Sequence, residues 1–294
     1  MAPARLYFGY GSNLCGADLA AWCRARNLDP VELIPSGRGF LPDRRLAFTQ
    51  SSAARGGGVL DVPAALGCAV SGILFRVPGD EAIATLDRKE GEGHSYTRVP
   101  AMALTDDGHE TPVFAYEVIP ERREPFVPPA TAYLALVRRA YQSHGLATEP
   151  LDAAARDEPY RSPVAGLFVY GTLLRGEERH PVLTRHHAAG AGAAKTAGAL
   201  IDLGAFPGLV LDGRGGSVAG ELYELSDPAA LFAELDEIES FRGFGAAGSV
   251  YRRAIVRVTR GGGATVPAWT YLYAGDTTGS YEIASGDWRL RLRP

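Results

Sequence analysis

Lysine is nearly missing from this chain: Lys89 and Lys195 are the only two, in a sequence with plentiful arginine. That is a compositional bias from which no function follows. Cysteine is also scarce. Cys15, Cys23 and Cys68 are odd in number and form no Cys-x-x-Cys pair, which argues against a disulfide framework and fits unpaired thiols in a reducing compartment. No run reaches the roughly 18 apolar residues of a membrane span. A net charge of −4 leaves no basic footprint for nucleic acid. The opening Met1-Ala2-Pro3-Ala4-Arg5 runs into a strand without signal-peptide anatomy, so a cytoplasmic location is expected. His180, His186 and His187 lack the His-Glu-x-x-His spacing and a cysteine partner, and read as a polar helix end. No metal or cofactor is expected. Ser12 lies in Tyr-Gly-Ser-Asn, so the Gly-x-Ser-x-Gly elbow of a serine hydrolase is absent as well.

What is present is a globular chain of 294 residues, 46% hydrophobic and 22% charged, long enough for two domains. A short stretch occurs twice. Leu6-Tyr7-Phe8-Gly9-Tyr10-Gly11-Ser12-Asn13-Leu14 near the start is echoed by Leu167-Phe168-Val169-Tyr170-Gly171-Thr172-Leu173-Leu174. Each copy is a β-favouring apolar run that breaks at Tyr-Gly and a small hydroxyl residue, the pattern of a strand ending in a tight loop. Glycine there lets backbone approach a ligand, and exposed loop N–H groups are able to hold an anion. Other features recur in the same order. Gly72-Ile73-Leu74-Phe75 returns as Gly220-Glu221-Leu222-Tyr223, Leu86-Asp87 as Leu235-Asp236, and Tyr96-Thr97-Arg98 as Tyr251-Arg252-Arg253. The offsets differ only by loop-sized amounts, which predicts duplicated domains and not a short solenoid repeat.

Local patterns fill in the elements. A helix is expected over Cys15–Asn27, strands over Arg45–Gln50 and Ala69–Val77, and a flexible turn at Gly56-Gly57-Gly58. Asp80 is expected to cap a helix over Glu81–Lys89 that stops at Gly91. Tyr96–Leu104 and Val113–Val118 flank Asp106-Asp107-Gly108, a hairpin signal. A longer helix is expected over Ala130–His144. Residues 146–165 then lose periodicity, and Pro159 and Pro163 forbid a continuous helix, so the expected division is 1–150, a linker at 151–164, and 165–294.

Two carboxylates fall on the wrong face of their helices. Glu90 lies seven residues after Ile83 and four after Leu86; Glu239 lies seven after Phe232 and four after Leu235. Both therefore sit on the apolar side. A buried carboxylate costs several kcal/mol unless paired or protonated, and a helix C-terminus makes it worse. Two readings stay open here. One is a structural ion pair with an arginine such as Arg98 or Arg253. The other is a general base with a raised pKa.

Together these motifs resemble the γ-glutamylcyclotransferase superfamily. The first half, with Tyr7 through Leu14, Leu86-Asp87-Arg88-Lys89-Glu90-Gly91 and the helix around Tyr133, looks like the γ-glutamylcyclotransferases themselves. The second half, with Val169-Tyr170-Gly171-Thr172-Leu173, Leu203-Gly204-Ala205-Phe206-Pro207-Gly208 and Leu235-Asp236-Glu237-Ile238-Glu239, is similar to the AIG2-like, γ-glutamylamine cyclotransferase branch. The resemblance implies an α+β fold of two tandem small mixed β-barrels with flanking helices. It implies a reaction in which a small γ-glutamyl amide becomes 5-oxoproline and a free amine. It assigns Glu90 and Glu239 as proton acceptors, and Tyr7, Phe8, Gly9, Tyr10, Gly11, Ser12, Tyr170, Gly171, Thr172 and Leu173 as substrate loops, with Tyr133 as a further substrate contact. Ser240-Phe241 follows Glu239 where the family commonly has glycine, so the second half is expected to be the weaker site. The competing expectation is a binding protein that keeps the fold without turnover, or one active and one degenerate half.

Overall fold

The computed structural model describes residues 5–211 and 215–291. The stretch Met1–Ala4 ahead of the first strand lies outside the described residues. The chain divides into two compact units. One takes the described residues up to Ala103 and Thr111–Pro163; the other takes Leu104–Glu110 and the described residues from Val164 onward.

In the first unit, strands β1 (Arg5–Gly9), β2 (Ile34–Arg44), β5 (Ala64–Val77), β6 (Tyr96–Leu104) and β7 (Glu110–Val118) form a closed barrel in the order β1-β5-β2-β6-β7. The seam is a parallel β1–β7 contact at Tyr7 and Phe114. A separate hairpin joins β3 (Ala47–Ser52) to β4 (Gly57–Asp61). Helices α1 (Gly16–Arg24), α2 (Asp80–Glu90), α3 (Thr131–Ser143) and α4 (Glu149–Ala155) flank the strands.

The second unit repeats this plan. Its strands are β8 (Gly166–Val169), β9 (Ala189–Ala197), β10 (Ala199–Asp202), β11 (Pro207–Val210), β12 (Ser217–Glu224), β13 (Tyr251–Arg260), β14 (Thr265–Tyr273) and β15 (Tyr281–Glu282), with helices α5 (His180–Arg185) and α6 (Pro228–Ile238). Five of the strands close a barrel in the cyclic order β12-β8-β14-β13-β9. Replacing β1, β5, β2, β6 and β7 by β8, β12, β9, β13 and β14 gives the same cycle, and again the seam is parallel, at Leu167 and Trp269. The result is the expected α+β fold of two five-stranded barrels.

The glycine repeated as Gly72 and Gly220 has a steric cause. A Cβ at Gly72 would lie 2.5 Å from the Gly9 carbonyl oxygen, and one at Gly220 would lie 2.2 Å from that of Val169. Each glycine lets its strand press against the residue that opens the Tyr-Gly loop.

Several local expectations are corrected. Helix α1 is shorter than Cys15–Asn27. Asp80 is the first helical residue of α2, and the cap position belongs to Gly79. Gly57 and Gly58 lie in β4, and the turn ends at Gly56, whose φ is 71°. The linker region starts with a helix: α4 has Pro150 in its first turn, where the missing N–H is harmless, and it buries Leu151 and Ala153. Strand β2 went unread because Pro35 and Pro42 break its alternation; each stands at a register shift against β5.

Candidate active site

Helix α6 explains how a carboxylate comes to face inward. The Asp227 side chain accepts from the Ala230 N–H at 3.4 Å, Pro228 occupies the first turn, and Leu231, Phe232 and Leu235 are buried. Glu239 follows as the C-cap, its N–H donating to the Leu235 carbonyl at 2.9 Å. It stays on the apolar stripe and is only 8% exposed. Among the described residues its carboxyl makes no hydrogen bond and no ion pair within 4.0 Å. Burial pushes the carboxyl up to about 7, against an opposing pull from the Arg179 cation.

Glu239 opens onto a cavity of about 240 Å³ lined by Tyr170, Gly171, Thr172, Leu173, Arg179, Phe206, Pro207 and Tyr251 among others. All four expected loop residues of this half are there. The loop is braced from below: the Tyr170 hydroxyl donates to the Tyr271 carbonyl at 2.7 Å and accepts from the Leu209 N–H at 3.2 Å. The Tyr251 hydroxyl donates to the Pro207 carbonyl at 2.7 Å. Gly171 packs so tightly that a Cβ would meet Pro207 Cγ at 2.5 Å. Among the described residues the N–H groups of Gly171, Thr172 and Leu173 have no acceptor, which leaves them for a bound oxygen.

The first unit holds a different site. Glu90 ends α2, and Gly91 follows with φ 67°. Asn13 Nδ2 donates to Glu90 Oε1 at 2.9 Å, and Lys89 Nζ lies 3.7 Å from the same oxygen. The Lys89 side chain is 5% exposed and also donates to Asn13 Oδ1 at 2.7 Å and Ser12 Oγ at 3.3 Å. Arg55 grips Asp18 with two hydrogen bonds of 2.9 and 2.6 Å. The cavity here is larger, about 600 Å³, and includes Ser12, Arg26, Arg55, Lys89, Glu90 and Tyr133. The Tyr133 hydroxyl accepts from the Leu60 N–H at 3.5 Å.

Of the loop residues expected in this half, only Ser12 lines that cavity. Phe8 is fully buried, and Tyr7 and Tyr10 are core residues of the first unit. Tyr7 accepts from Asn13 Nδ2 at 3.1 Å, so it touches the site through Asn13. Tyr10 donates to the Tyr116 carbonyl at 2.6 Å, as Tyr170 does to Tyr271. Gly9 faces the Phe75 ring. Gly11 has nothing within 3.9 Å of a built Cβ, where it would meet Leu60 and the Tyr133 hydroxyl.

The two arginines considered as partners of the glutamates serve the neighbouring aspartates. Arg98 lies 3.3 Å from Asp87 and Arg253 3.6 Å from Asp236. Each aspartate also accepts from a tyrosine hydroxyl at 2.6 Å, Tyr116 in one unit and Tyr271 in the other. The three histidines do not converge: His180 meets the Tyr223 hydroxyl and His186 meets Glu234. Among the described residues no cluster of His, Cys, Asp or Glu is arranged to hold a metal, and no helix is long and apolar enough to cross a membrane.

Sequence reasoning missed Arg179, Asn13, Lys89 and Arg55 as site residues. Lys89 had a usable signal, since one of only two lysines stands next to Glu90. Arg179 had none: it follows Tyr170 by nine residues, outside any strand or helix period.

Parts of this chain are similar to known proteins. Over 124 residues the chain is 36% identical to gamma-L-glutamyl-butirosin B gamma-glutamyl cyclotransferase of Niallia circulans, covering 42% of this chain and 74% of that protein. A protein of Vibrio cholerae is 39% identical over 126 residues, 43% of this chain and 96% of its own length. The solved structure of YkqA from Bacillus subtilis covers 93% of this chain and 85% of that one, at 18% identity and a TM-score of 0.33. The family model described as gamma-glutamyl cyclotransferase, AIG2-like, matches residues 7–134 and again residues 167–290, so the chain belongs to that family and carries its unit twice.

Proposed function

We propose that the chain is a γ-glutamyl cyclotransferase whose better-poised site is the one in the second unit. The substrate is a γ-glutamyl amide. Its α-amine attacks its own γ-carbonyl carbon, a five-membered lactam closes, the amide C–N bond breaks, and 5-oxoproline and a free amine leave. Holding the folded conformer supplies much of the acceleration, since good positioning of an intramolecular attack is worth roughly 7–11 kcal/mol. An α-ammonium is no nucleophile, so a base must take its proton and return one to the departing nitrogen. A carboxyl near its ordinary pKa is a poor match for that task. Glu239, raised to about 7 and forming no ion pair among the described residues, is a better one. That observation carries the proposal. The loop N–H groups of residues 171–173 supply donors for the substrate's oxygens.

This reverses the ranking that Ser240-Phe241 suggested. The first unit has the same plan, but Lys89 and Asn13 engage its carboxylate. A substrate must rearrange that network before Glu90 acts as a base. The free thiols Cys15, Cys23 and Cys68 suit a reducing compartment, and we place the activity in the cytoplasm. The Niallia circulans relative is named for a γ-L-glutamyl conjugate of butirosin B, which supports a metabolite conjugate among the substrates to be tried here.

The test is 5-oxoproline release from γ-glutamyl amino acids and γ-glutamyl amines by the unchanged protein, Glu90→Gln, Glu239→Gln and the double variant. General-base loss is expected to lower turnover roughly 10²–10⁴-fold at the affected site, and Glu239→Gln is expected to remove the larger share. A double variant with undiminished turnover would rule out both glutamates.

A further inference from the structure

The cavity of the second unit contains a cation that, among the described residues, forms no ion pair. Arg179 is half-buried and lines the same cavity as Glu239. Among the described residues no carboxylate oxygen lies within 4.0 Å of its guanidinium, whereas Arg55 in the first unit is held bidentately by Asp18. Its backbone is fixed to the substrate loop, the Arg179 N–H donating to the Thr172 carbonyl at 2.8 Å. It acts electrostatically on both Glu239 and Tyr251, which line the same cavity. A guanidinium so placed, partly desolvated and unmatched, suits a ligand carboxylate far better than it suits this apolar wall.

Which carboxylate follows from size and from bonding. About 240 Å³ is less than the roughly 300–1,000 Å³ of clefts that enclose drug-sized ligands, so the cavity holds one small acyl group and leaves the departing amine outside. The only anionic group of a γ-glutamyl residue is its α-carboxylate, borne on the same carbon as the α-amine. A base for that amine and a cation for that carboxylate must therefore stand close together without cancelling each other. Glu239 and Arg179 do so: they share one small cavity, Arg179 acts on Glu239, and they form no ion pair.

We infer that Arg179 binds the α-carboxylate of the γ-glutamyl group and makes a free carboxylate at that position a requirement of the second site. The inference rests on the cyclotransferase reading for the identity of the ligand. It adds a consequence: once the substrate carboxylate neutralises Arg179, the cation stops favouring ionised Glu239, and the base becomes stronger with substrate bound.

The experiment uses the full chain carrying Glu90→Gln, so that remaining turnover reports the second unit. Two substrates are compared, a γ-glutamyl amide and its counterpart with an α-carboxamide in place of the α-carboxylate. Arg179→Gln is expected to lower kcat/KM for the carboxylate substrate roughly ten- to hundred-fold, mainly through KM, and to leave the carboxamide substrate much less affected. Arg179→Lys is expected to recover part of the loss. An Arg179→Gln protein that keeps the unchanged preference for carboxylate over carboxamide overturns the inference, even if its pH profile moves. A second arm needs no turnover: calorimetric titration with 5-oxoproline, which retains the carboxylate. Superimposable titrations of the Arg179→Gln and unchanged proteins also overturn the inference. Weakened 5-oxoproline binding in a protein that releases no 5-oxoproline from any substrate sustains the Arg179 contact and removes the catalytic reading instead.

Discussion

Arg253 lies 3.6 Å from Asp236 and makes no ion pair with Glu239, three residues further along. The first unit repeats the choice, with Arg98 3.3 Å from Asp87 and Lys89, not an arginine, beside Glu90. The repeated Leu-Asp-x-x-Glu therefore splits its two acids. The aspartate anchors the helix to the barrel through an arginine and a tyrosine hydroxyl, and the glutamate is left for the cavity.

The anchoring aspartates are expected to matter unequally for stability. Arg253 is 1% exposed and sits within 4.7 to 5.3 Å of the rings of Phe232, Phe241, Phe244 and Trp269. Arg98 keeps 32% of its side chain in water. Asp236→Ala takes the carboxylate from a buried cation, a change of the kind that costs about 3–5 kcal/mol, while Asp87→Ala is expected to cost less than half of that. Chemical denaturation of the two variants checks the order; equal losses would refute it.

Glu239 ties activity and stability to pH in opposite directions. As a base it must be ionised, so with Glu90→Gln in place kcat/KM is expected to rise with pH up to about 7 and then level off. Its folded pKa, about 7, lies above the ordinary 4.5, so the native state binds the proton more tightly than the unfolded chain does. Stability is then greatest below about 4.5 on this account and falls as pH rises through 7, by on the order of 3 kcal/mol at full ionisation. Glu239→Gln removes that dependence, so its melting temperature relative to the unchanged protein is expected to climb between pH 5 and pH 8. A difference that stays flat, or an acid limb near 4.5, contradicts the assignment.

Gly11 and Gly171 hold equivalent places in sequence and unequal ones in space. A Cβ at Gly171 collides with Pro207 at 2.5 Å, whereas at Gly11 the nearest atoms are 3.9 Å away. Gly171→Ala is expected to lower the melting temperature, at the 1–3 kcal/mol scale of an overpacked site. Gly11→Ala is expected to be neutral in melting and to act, if at all, on 5-oxoproline release by the first unit. Calorimetric melting of both variants separates the two.

Ser240 occupies the left-handed conformation, φ 51°, at the place where Gly91 has φ 67°. An L-residue pays roughly 1–2 kcal/mol there, partly offset by the lower unfolded-state entropy of serine. Ser240→Gly is expected to stabilise the protein by up to about 1 kcal/mol, and Gly91→Ser to destabilise it by a similar amount. A lower melting temperature for Ser240→Gly would show that the serine side chain contributes more than the backbone strain.

By itself the sequence determined the duplication, the Tyr-Gly loops and the inward glutamates. These are local matters: a strand period broken by glycine, and a helical period that carries Glu90 and Glu239 onto the faces of Leu86 and Leu235. The α+β class came from the resemblance of these motifs to the γ-glutamylcyclotransferases, and the two barrels bear it out. It did not reveal β2, whose prolines hide a strand that only its pairing with β5 stabilises, or α4, whose single apolar face is too short to read. The partners of the charges were decided by tertiary structure alone. Closing each barrel sets Arg98 and Arg253 against the aspartates, folds Lys89 and Asn13 onto Glu90, and puts Glu239 and Arg179 in the lining of one small cavity, where neither forms an ion pair among the described residues. Charge pairing and burial depend on distances between segments far apart in the chain, and no residue period encodes those distances.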